Sequence, residues 1–64
     1  MNSGGFDLRA LLKRFGIVIY TGDRLGDLLL MEDEIRELRQ MGLIDGDEFV
    51  QAMAALAAEK SKIQ

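Results

Sequence analysis

The chain contains no cysteine, so neither a disulfide nor a thiolate metal site can reinforce its core, and a reducing, cytoplasmic setting is the expectation. It has no histidine either, which removes the usual zinc and iron ligand sets. No stretch approaches the length of a membrane span. The opening Met1-Asn2-Ser3-Gly4-Gly5 lacks the basic segment and apolar run of a secretory leader, so secretion and membrane insertion are not expected. Positive charge is short as well. With 11 acidic against 8 basic residues the formal charge is -3, which gives no general attraction to nucleic acid or anionic lipid, and a polyanion would need a local basic patch.

What is present is 64 residues of mixed charge and regular apolar spacing, enough for one domain that buries about 60% of its unfolded surface. Two glycines and small polar residues make the start a flexible lead-in, taken as residues 1–6, and residues 7–62 read as a single three-helix domain. Leu8, Leu11, Leu12 and Phe15 recur at helical spacing, with Asp7 placed to cap the helix and Gly16 to end it. Ile17-Val18-Ile19-Tyr20 has β propensity but no partner strand, so it is expected to be an extended or helical connector whose side chains plug the core. Thr21 or Asp23 then caps a second helix running from about Asp23 to Met41, and Gly26 weakens its first turn by roughly 1 kcal/mol relative to alanine.

On that helix Leu28, Met31, Ile35 and Leu38 form the core face, and Glu32 precedes Arg36 by one turn in the favourable orientation for a pair. Gly42 ends it. Asp45 and Glu48 have the spacing of a capping box before Phe49, Met53 and Leu56, and a third, alanine-rich helix follows to the terminal lysines. The fold expected is all-α, a small three-helix bundle, with Leu11, Phe15, Ile35, Leu38, Phe49, Met53 and Leu56 in one core. Leu25, Leu29 and Leu30 exceed what one thin core covers, which raises the prospect of a weak homodimer or a protein-docking surface.

No constellation carries enzyme chemistry. Gly42 to Phe49 resembles half of a calcium loop, but in that register the first, third and fifth ligand positions fall on Glu37, Arg39 and Met41, so two oxygen donors are missing. Ser3, Thr21 and Ser61 have no base beside them, and the acids from Glu32 to Glu37 read as a solvated face. The one suggestive patch is Tyr20-Thr21-Gly22-Asp23-Arg24. An exposed Tyr20 offers a stacking ring, Arg24 a planar cation and the helix start free backbone donors, while Asp23 opposes anion binding unless its carboxylate is occupied. Arg9, Lys13 and Arg14 lie together on the first helix and supply a candidate basic stripe.

Phe15-Gly16-Ile17-Val18-Ile19-Tyr20-Thr21-Gly22-Asp23-Arg24, with Leu30 to Leu38 and Gly42-Leu43-Ile44-Asp45, resembles the YqgQ-like family, also called DUF910, of small proteins from Bacillus and related bacteria. The likeness covers nearly the whole chain after residue 5, with departures at Gly26 and in the alanine-rich last helix. It implies a cytoplasmic three-helix fold with a suggested role in binding single-stranded nucleic acid, and it brings no cofactor or reaction. The combined expectation is a non-enzymatic interaction protein that binds single-stranded RNA or DNA through Tyr20, Thr21, Gly22, Arg24, Arg9, Lys13 and Arg14, with no catalytic residue, cofactor or metal. The alternative is a protein-protein interaction or adaptor module that uses an apolar helical surface.

Overall fold

The computed structural model describes residues 6–63. Helices α1 (Leu8–Lys13), α2 (Arg24–Gln40) and α3 (Gly46–Ile63) follow in chain order, with no strand among the described residues. The chain is therefore all-α. All of the lead-in except Phe6 lies outside the described residues, and Phe6 is half-buried against the core.

Each helix begins where an aspartate oxygen meets a free backbone donor. Asp7 accepts from Ala10 N at 3.1 Å, Asp23 from Gly26 N at 2.8 Å and Asp45 from Glu48 N at 2.8 Å. The third cap is one-sided. Glu48 does not complete the box, and its carboxylate instead accepts from Arg14 at 2.8 Å. The first two helices end in the same six-to-one closure, Ile17 N on Leu12 O and Leu43 N on Leu38 O, around Gly16 at φ 76° and Gly42 at φ 74°.

The short link from Met41 to Asp45 makes α2 and α3 antiparallel, and α1 packs on both. Ion pairs tie the ends of the hairpin, with Arg24 at the start of α2 lying 3.5 Å from Glu59 near the end of α3. Leu11, Leu12, Leu28, Met31, Ile35, Leu38, Ala52 and Leu56 are buried, together with Leu8 and the linker residue Ile44. Phe15, Phe49 and Met53, expected within the core, lie half-buried at its edge. Helix length explains this. Six residues of α1 span about 9 Å and 18 residues of α3 about 27 Å, so α1 cannot roof the whole hairpin. No helix of the described residues is long and apolar enough to cross a membrane.

Candidate functional site

The connector between α1 and α2 is neither helix nor strand, and its residues alternate between half-buried and exposed, as they do along extended chain. Ile17 and Ile19 pack against the core, whereas Val18 and Tyr20 are 78% and 81% exposed. Only half of the segment plugs the core, and the outward half includes the candidate ring.

An aspartate holds this segment in place. Asp27 belongs to the line Asp27, Met31, Ile35, Leu38 along the inner side of α2 and is only 4% exposed. Its Oδ1 accepts from both the backbone N–H of Thr21, at 2.9 Å, and the Thr21 hydroxyl. Oδ2 lies 3.8 Å from the Arg9 guanidinium. Arg9 in turn donates to the backbone carbonyl of Ile19. The residues on both sides of Tyr20 are thus fixed, Ile19 from α1 and Thr21 from α2. These bonds hold the Asp27 carboxyl below the usual carboxylate range; the Thr21 hydroxyl does most, the Thr21 N–H and Arg9 add to it, and burial opposes. Among the described residues no buried side-chain polar atom lacks a hydrogen-bond partner.

The seven residues expected to form the site do not all converge. Gly22 gives the turn its φ of 91°, a backbone conformation suited to glycine. The Thr21 hydroxyl is engaged by Asp27, and it also accepts from Asp23 N at 3.3 Å. The Asp23 carboxylate is occupied by its capping bond to Gly26, which meets the condition set for anion binding near this turn. Arg24 and Arg14 are both directed toward α3, where Glu59 and Glu48 receive them. Arg14 also lies 5.4 Å from the centroid of Phe15.

Arg9 and Lys13 remain with the connector, one turn apart on α1. Both line a cleft of about 250 Å³ whose walls are Leu12, Ile17, Ile19 and Met31. Lys13 forms no ion pair among the described residues. Arg9 also lines a wider cleft of about 440 Å³, together with Arg24 and the acids Asp7 and Glu59.

Sequence reasoning missed Asp27. An available signal was its place one turn before Met31 on the apolar line, where an ionisable residue needs a partner. It also missed the second partner of Glu32. The expected Arg36 pair forms at 2.7 Å, and Lys60 of α3 donates to the other oxygen at 2.7 Å. Lys60 first and Arg36 second hold the Glu32 carboxyl below its usual range.

A family model described as YqgQ-like matches residues 1–62. The chain belongs to the YqgQ-like family. A relative named "Uncharacterized protein YqgQ", from Bacillus subtilis (strain 168), is 37% identical over 54 residues, which is 84% of this chain and 76% of that protein. No solved structure matches the chain. The YqgQ-like assignment accords with the resemblance carried by the connector and the hairpin.

Proposed function

We propose that this chain is a non-enzymatic, cytoplasmic interaction module that binds single-stranded nucleic acid, RNA or DNA, through the connector. The observation that carries the reading is the Tyr20 ring, 81% exposed on a backbone segment tethered at both neighbouring residues. A ring held ready on a fixed backbone accepts a base by stacking with little further ordering, and every base has a face to offer. Arg9 and Lys13 supply charge for phosphate beside it. The formal charge of -3 opposes them, so binding is weak, and with two cations facing phosphate it falls only modestly as salt rises.

Titration of the folded protein with short single- and double-stranded oligonucleotides, followed by amide shifts at two salt concentrations, tests the reading. Saturable shifts are expected around residues 9–14 and 19–24, stronger for single strands and weaker at high salt. A folded sample with no saturable shift at low salt contradicts it.

A second reading, docking of a protein or of another copy, draws on Leu29 and Leu30, which are 48% and 45% exposed on α2. Concentration-dependent mass in light scattering that Leu29→Asp abolishes would support self-association. A monomer at near-millimolar concentration would remove it.

A further inference from the structure

We propose that the cleft between α1 and the connector is a subsite for one nucleotide unit, with the base among Leu12, Ile17, Ile19 and Met31 and the phosphate on Arg9 and Lys13. The proposal rests on the nucleic-acid reading above and adds a second contact beside Tyr20.

Size limits the occupant first. At about 250 Å³ the cleft is smaller than the roughly 300 Å³ at which sites for drug-sized molecules begin, so it accepts one ring system and not an extended ligand. Its walls are apolar, with Leu12 and Met31 only 1% and 2% exposed behind the half-buried Ile17 and Ile19. A flat, weakly hydrated ring suits such walls. Charge selects what the ring is attached to. No carboxylate lines the cleft, and both rim groups are cations. Arg9 is partly offset by Asp27 at 3.8 Å, which leaves Lys13 as the less compensated charge. The wider cleft is balanced instead of cationic, because Asp7 and Glu59 line it beside Arg9 and Arg24, and Glu59 already holds Arg24. An anion prefers the smaller site.

Position links the cleft to Tyr20. Val18 lines the cleft and alternates along the connector with Ile17 and Ile19, so Tyr20 follows on the same outward side. One base enters the cleft while its neighbour along the strand stacks on Tyr20. A base can enter only if it is unpaired and unstacked, so the cleft itself selects single strands over duplex.

The test uses a uridine hexanucleotide and the isotope-labelled full chain. Intermolecular NOEs from base protons to the methyls of Leu12 and Ile19 are expected. Val18→Asp, which sets a carboxylate at the mouth from an exposed position, should lower affinity by about tenfold through like-charge repulsion, while Val18→Asn stays within about twofold. Lys13→Gln should reduce the slope of log affinity against log salt by roughly 0.7, the loss of one single-strand phosphate contact. Saturable shifts at Tyr20 with no NOE into the cleft, and equal affinities for the two Val18 variants, would overturn the subsite and leave the stacking reading standing. No saturable shift anywhere would overturn both.

Discussion

Gly26 lies in the first turn of α2, where propensity alone says alanine should stabilise by about 1 kcal/mol. The structure opposes that gain. A Cβ at Gly26 would lie 2.6 Å from Asp23 Oδ2, the oxygen that accepts the capping bond from Gly26 N at 2.8 Å. Ordinary contact begins near 3.4 Å, so the carboxylate has to give way. A Cβ at this place in the turn weakens a cap without abolishing it, since Asp7 and Asp45 still accept from Ala10 N at 3.1 Å and Glu48 N at 2.8 Å. Loss of an aspartate cap typically costs about 1 kcal/mol, and weakening it costs a part of that. The two terms therefore partly cancel, and Gly26→Ala alone should stabilise by less than about 0.5 kcal/mol. With Asp23→Ala already present no cap remains to lose, and the same change should stabilise by about 1 kcal/mol, or roughly 4 to 8 °C in a domain this small. Thermal melts of wild type, the two single variants and the double variant, followed by helical circular dichroism, close the cycle. Strict additivity would refute the proposed competition between the cap and the Cβ.

Ile35 is fully buried, so Ile35→Ala should cost about 2 to 5 kcal/mol, a large share of the roughly 3 to 10 kcal/mol expected at this length. Phe49→Ala should cost less than the 3 to 5 kcal/mol typical of a buried phenylalanine because its ring is half-buried; urea denaturation showing it to be the costlier of the two would reverse the core assignment. Asp27 and Glu32 both have carboxyls held below the ordinary range, so the unfolded chain takes up their protons first as pH falls. Their contribution is fully present above about pH 5 and is lost as pH drops below about 4 through the depressed folded values. The thermal midpoint should fall over that window for the wild type and fall less for Asp27→Asn combined with Glu32→Gln, and equal acid sensitivity would contradict the assignment.

The helices are legible in the sequence because each carries local punctuation that needs no tertiary knowledge. Asp7, Asp23 and Asp45 precede apolar periodicity, and Gly16 and Gly42 follow it. The connector is half legible. Its propensity leaves helix and extended chain open, and only the packing of Ile17 and Ile19 leaves Val18 and Tyr20 facing outward. The clamp on it is not legible, because Asp27 finds its partners across a turn, at Thr21, and on another helix, at Arg9. A similar limit applies to the candidate cations. Spacing groups Arg9, Lys13 and Arg14 on one short helix, whereas the acids of α3 take Arg14 and Arg24 away from the connector. Those acids are distant in sequence, so no local pattern announces the pairing.

The proposed binding depends on Tyr20, an exposed ring on a tethered backbone. Tyr20 is the only tyrosine, and the chain has no tryptophan, so its emission reports on that one ring without any label. Titration with single-stranded oligouridylate at low salt, using the residual signal of a Tyr20→Phe variant as blank, measures stacking directly. Saturable quenching that weakens as salt rises is expected, with Tyr20→Ala losing about 1 to 3 kcal/mol of binding in a parallel calorimetric titration and its stability staying within about 0.5 kcal/mol of wild type. Emission unchanged at every oligonucleotide concentration, from a protein that circular dichroism shows to be folded, would contradict it.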